Sequence, residues 1–155
     1  MKLFNKFYSV LFITMVVLLT CVDCLPAKTL QTDSKSFAII NTQKVFLAVA
    51  DTEEKRTRGL MYIDSLKENQ GMVFLFSGKD YRYFWMKNTE IPLDIVFINN
   101  NKITYIQHDL PICRQDKCPI YDSKSKADKV IELKGGFCKK YNIKIGDKVK
   151  FSKNI

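Results

Sequence analysis

The chain is short of the side chains that most often carry chemistry. Its 155 residues include one His, one Trp and only four Arg beside 21 Lys. The lone imidazole, His108, is the one available partner for a Cys–His nucleophile, and neither an orienting third residue nor an oxyanion hole can be read beside it. Asp94 has no second acid in an arrangement suited to glycoside hydrolysis. The net charge of +9 is spread along the chain without clustered Arg/Lys and interleaved aromatics. That pattern describes a solvated Lys-rich surface, so no nucleic-acid partner is expected. Weak attraction to anionic membranes or envelope polymers remains open for such a surface. The chain also lacks an internal repeat. A 16-residue uncharged run, Phe7 to Val22, is short for a membrane span of about 20 residues.

What that run suits is export. Lys2 and Lys6 form a basic start, Val10 to Leu19 an apolar centre, and Leu25-Pro26-Ala27 an acceptable cleavage site. Residues 1–27 therefore read as a signal peptide, and the remainder as an extracytoplasmic protein, periplasmic or secreted. Two alternatives keep it on the membrane through the N-terminal segment: an uncleaved anchor, or lipidation of Cys21 in Leu18-Leu19-Thr20-Cys21, where Thr20 is bulkier than usual.

Residues 28–43 form a polar linker and first strand region, and residues 44–152 a single domain. Val45–Ala50 is apolar on both faces, as a doubly covered strand would be. Asp51 is expected to cap a short helix, with Glu54 completing a capping box and Gly59 ending it. Met72–Phe76, Tyr81–Trp85, Ile91–Ile98, Ile103–Ile106, Val130–Leu133 and Lys148–Ser152 read as further strands. Asn99–Lys102 is a hairpin turn, residues 107–128 a long irregular loop, and Phe137–Tyr141 a brief helical turn. This many short strands predicts a mostly β, monomeric domain: an antiparallel β-sandwich or jelly-roll-like barrel with one or two short helices.

The stretch from Phe84 to Ile98 is the most informative. It sets the polar island Lys87-Asn88-Thr89 between apolar segments and places Asp94 inside a core-like run. Buried polar groups must be paired or functional, because an unpaired one costs about 1–3 kcal/mol. Arg58, Trp85, Lys87, Asn88 and Asp94 are thus the candidate ligand-binding residues, with the aromatic ring available to stack on a sugar or other planar group. The competing expectation is structural: Asp94 pairs with Arg58 or Lys87, and Asn88 satisfies loop backbone.

An ordered set of motifs resembles the family of domain of unknown function 192, also known as uncharacterised protein family 0127. The matching pieces are Val49-Ala50-Asp51-Thr52, Arg58-Gly59-Leu60-Met61, Gly71-Met72-Val73-Phe74, Phe84 to Thr89, Ile91-Pro92-Leu93-Asp94, Glu132-Leu133, Gly135-Gly136 and Ile145-Gly146-Asp147. The resemblance implies a jelly-roll type β-sandwich, often behind a signal peptide, and no established activity or catalytic residues.

Cys113 and Cys118, five apart in the long loop of an exported chain, read as a disulfide, and a Cys pair at this place in some relatives supports it. The alternative is a structural zinc set of His108, Cys113, Cys118 and Cys138, although a tight two-residue Cys spacing is missing. With the disulfide formed, Cys138 is an odd buried thiol. No metal or cofactor is expected. The function expected is a non-enzymatic, envelope-associated binding or accessory module for a small anionic molecule or envelope polymer. An enzyme acting on an envelope glycan or anionic small molecule, and a structural partner of an envelope protein, are the alternatives.

Overall fold

The computed structural model describes residues 27–155. The signal-peptide, anchor and Cys21 readings fall largely outside the described residues. In chain order the elements are β1 (Phe37–Ile40), β2 (Gln43–Ala50), α1 (Glu53–Arg58), β3 (Gln70–Asp80), β4 (Tyr83–Trp85), β5 (Leu93–Asn99), β6 (Lys102–Leu110), β7 (Ile120–Asp122), β8 (Ala127–Lys134), α2 (Phe137–Lys140) and β9 (Val149–Phe151). Seven strands form one curled sheet, a half-barrel, in the order β6-β5-β8-β3-β2-β1-β9, and β4 pairs with β7 in a separate ribbon.

The mostly β expectation holds, but these pairings do not trace the two facing sheets of a sandwich or jelly roll. The departure begins after β2. That strand pairs parallel with β3, from Phe46 opposite Gln70 to Ala50 opposite Phe74. Parallel neighbours need a crossover of a dozen or more residues. The segment carrying α1 supplies it and returns the chain to the same sheet.

Strand alternation divides the core between the two faces of the sheet. One face gathers Val45, Leu47, Val73, Val96, Ile131 and Leu133 beneath Phe137 and Cys138 of α2. The other gathers Ala50, Phe74, Ile95, Phe97 and Val130 beneath Leu60 and Met86. Because β5 is covered on both sides, Leu93 through Ile98 are all buried, which explains an apolar sequence interrupted there by Asp94 alone.

Three local expectations are corrected. Thr52, not Asp51, caps α1, its side chain accepting from the Lys55 amide. Asp51 instead pairs with Lys55 Nζ at 2.7 Å. Residues 77–80, left between the expected strands Met72–Phe76 and Tyr81–Trp85, are the far end of β3, which runs on to Asp80. The supposed loop 107–128 contains the end of β6, all of β7 and the start of β8. β7, Ile120-Tyr121-Asp122, is only three residues long, too short to show an alternation, and its two-stranded ribbon needs no fully buried face. The β5–β6 hairpin appears as expected, with Asn100 and Asn101 at φ 52° and 58°.

Candidate functional site

Asp94 is fully buried on β5, yet neither Arg58 nor Lys87 pairs with it, and it lies outside the linings of the two clefts described below. Its Oδ1 accepts the backbone N–H of Asp109 at 2.7 Å and of Gly136 at 3.0 Å, and its Oδ2 that of Cys138 at 2.6 Å. The carboxylate thus ties β5 to the end of β6 and to the start of α2. The approach is close enough to require Gly135, where a Cβ would stand 2.5 Å from Asp109 Oδ1 and 2.8 Å from the Pro92 ring. Both the expected ion pair and the expected ligand role of Asp94 are replaced by this backbone cradle. Burial, and then the neighbouring Asp94, push the Cys138 thiol up, so it stays protonated and inert.

The opposite face of the sheet opens into a cleft of about 550 Å³ between α1 and the β4 segment. Arg58, Trp85 and Lys87 line it, so three of the five predicted residues come together. Arg58 is delivered by the last turn of α1, which Gly59 ends in a conformation of positive φ. Trp85 and Tyr83 share the outer face of β4, 44% and 67% exposed, while Phe84 between them turns inward onto Phe74. Lys87 Nζ lies 5.2 Å from the centre of the Trp85 ring.

Two further arginines line the cleft but are committed elsewhere. Arg56 donates to the carbonyls of Asp51 and Leu75 and to Glu53. Arg82 donates to the carbonyls of Ala127 and Gly78 and stacks on Phe76, its guanidinium carbon 3.8 Å from the ring centre. Arg58 and Lys87 form no ion pair among the described residues. They are the cleft's uncommitted cations.

Asn88 belongs to the scaffold. At φ 55° its carbonyl accepts the Tyr62 amide at 2.8 Å, and its side-chain amide donates to the Tyr62 hydroxyl at 2.8 Å. Its side chain therefore meets another side chain, Tyr62, and not the loop backbone that it was expected to satisfy. Asn88 borders a second cleft of about 480 Å³ that Lys87 shares with Cys113, Cys118 and Arg114. Cys113 and Cys118 are joined by a disulfide, which removes two sulfurs from the zinc set considered above. Because Lys87 forms an isolated parallel bridge with Cys113, the disulfide loop backs the segment after β4 that carries this cation.

The sequence reading missed Glu132, although it lies in one of the quoted motifs. It is 5% exposed on β8, lines the main cleft, and its Oε2 has no hydrogen-bond partner among the described residues. Burial pushes its carboxyl up to about 8, against a smaller downward pull from the Leu60 backbone N–H. Gly59 roofs it: a Cβ there would lie 3.5 Å from Glu132 Oε2 and 3.4 Å from Phe74. An acid inside the apolar run Val130-Ile131-Glu132-Leu133 is the same signal that drew attention to Asp94.

Fold and site together define a small, mostly β domain with an aromatic-rimmed, cationic cleft floored by a buried acid. The chain belongs to the DUF192 family, "Uncharacterized ACR", whose model matches residues 37–151. Two solved structures are similar to it. A "putative transcription regulator" from Sinorhizobium meliloti is 28% identical with a TM-score of 0.68, covering 75% of this chain and 91% of its own. A protein of unknown function from Novosphingobium aromaticivorans is also 28% identical with a TM-score of 0.68, covering 74% of this chain and 83% of its own. No curated protein shows significant sequence similarity to this chain.

Proposed function

We propose that this is an exported, envelope-associated binding module that holds a small anionic, ring-bearing ligand in the cleft between α1 and β4. One observation carries the reading: Arg58 and Lys87, without ion-pair partners, line the same cleft as the half-exposed Trp85. Uncommitted cations beside a flat aromatic face suit a carboxylate or phosphate borne on a ring. Export is supported by the basic-then-apolar N-terminal sequence and by the Cys113–Cys118 disulfide, a bond characteristic of oxidising compartments.

The test is untargeted mass spectrometry of small molecules retained by the purified protein, comparing wild type with an Arg58→Gln/Lys87→Met double variant. An anionic compound retained by the first and lost from the second supports the reading. Equal retention by both proteins counts against it. A second reading, an enzyme, is favoured by the Glu132 carboxyl on the cleft floor, whose Oε2 has no partner among the described residues, a group suited to proton transfer. Turnover of a retained compound would select it.

A further inference from the structure

Glu132 is left without a task by simple anion binding, and a carboxyl on the floor of an anion site would ordinarily oppose its ligand. We propose that Glu132 is a neutral hydrogen-bond donor to a ring hydroxyl, and that the cleft therefore selects acidic sugars of the uronic-acid type. This rests on the anion-binding reading above and adds to it the part of the ligand that is not the anion.

The assignment follows from what each group has left to give. Arg56 and Arg82 are held by backbone carbonyls, which leaves Arg58 and Lys87 for the ligand's carboxylate. The exposed rings of Trp85 and Tyr83 offer a flat surface to the C–H face of a pyranose. A ring seated there brings its hydroxyls into the cleft, whose floor includes the Glu132 oxygen without a partner. A protonated carboxyl both donates and accepts, which matches a hydroxyl and does not repel the neighbouring anion.

The protonation state has a local cause. Glu132 faces Met72 of β3 and Ile95 of β5 across the sheet, and neither carries charge. From α1 the cleft receives Glu53, Arg56 and Arg58, and from the β4 side Tyr81, Arg82, Tyr83 and Lys87. None of these offsets the effect of burial on Glu132, which is opposed only by the Leu60 backbone N–H. The acid is neutral at pH 6 and ionises near pH 8, where an adjacent anion becomes unwelcome.

The experiment is calorimetric titration of the purified protein at pH 6 with glucuronate, glucose and cyclohexanecarboxylate. Wild type should bind glucuronate about tenfold more tightly than either other probe. Glu132→Leu should bring glucuronate down to the level of cyclohexanecarboxylate. Glu132→Gln should keep the preference and remove the loss of affinity that wild type shows between pH 7 and pH 9. Equal binding of glucuronate and cyclohexanecarboxylate by wild type, or a preference unchanged in Glu132→Leu, overturns the role of Glu132 and leaves anion binding standing. Failure of both anions to bind overturns the anion reading and this inference with it. Should Glu132→Leu fail to fold, the pH profiles of wild type and Glu132→Gln decide, and an identical decline in both rejects the proposal.

Discussion

Two buried acids lie on neighbouring strands one register step apart, and the molecule treats them in opposite ways. Asp94 of β5 stands opposite Leu133 of β8, and Glu132 of β8 stands opposite Ile95 of β5. The offset sends their side chains to opposite faces of the sheet. On the α2 face, three backbone N–H groups converge on Asp94. On the cleft face, Glu132 keeps an oxygen without a partner beneath Gly59. Burial alone therefore does not separate scaffold from site. The supply of donors does: a carboxylate saturated by the backbone holds the fold, and an undersupplied one at a cleft is free to meet a ligand.

The largest expected effect comes from breaking the saturated acid. Asp94→Ala should cost about 3–5 kcal/mol in chemical denaturation, because the buried Cys138 N–H and the half-buried N–H groups of Asp109 and Gly136 lose their shared acceptor. Asp94→Asn should also destabilise, since its amide would turn a donor toward either the Cys138 N–H or the pair from Asp109 and Gly136. At pH 6, Glu132→Gln should leave stability close to that of wild type. A comparable loss in both would erase the distinction between the two acids.

The second effect is a pH dependence confined to one of them. The folded protein holds the Glu132 proton to about pH 8, whereas the unfolded chain releases it near the ordinary 4.5. Between these values the folded state binds more protons, so stability falls as pH rises, by up to about 1.4 kcal/mol per pH unit. Below and above that window this residue contributes no slope. Glu132→Gln should flatten the difference between denaturation midpoints measured at pH 5 and pH 8.

Smaller effects belong to the rim. The Cys113–Cys118 disulfide closes a short loop, and its removal in a Cys113→Ser/Cys118→Ser variant should cost on the order of 2 kcal/mol. Lys87→Met and Arg58→Gln, which break no ion pair, should each shift stability by less than about 0.5 kcal/mol while lowering retention of an anionic ligand. A loss of several kcal/mol in Lys87→Met would return Lys87 to the scaffold.

The legible parts of this molecule are those written in local chemistry. The Asn100–Asn101 hairpin, the Gly59 helix end and the Gly135-Gly136 lead into α2 follow from backbone geometry that few residues tolerate. The Cys113–Cys118 bond follows from proximity along the chain. The parallel β2–β3 pairing did not show, because nothing local distinguishes a crossover from a loop between antiparallel strands. At the site, Arg58, Trp85 and Lys87 were recognisable as polar or aromatic interruptions near apolar strands. Asp94 and Glu132 give the same signal in sequence, and only the three-dimensional supply of amides assigns one to structure and the other to the cleft. Asn88 showed its polarity but not its partner, Tyr62, which reaches it from 26 residues away.

The central claim is that Glu132 is a neutral, undersupplied acid at the cleft floor. Its most direct test is a carbon-13 NMR titration of the Glu132 side-chain carboxyl, assigned by comparison with Glu132→Gln. The account predicts a midpoint near 8. A midpoint near the ordinary 4.5 would contradict it, by showing a carboxylate that is solvated or paired.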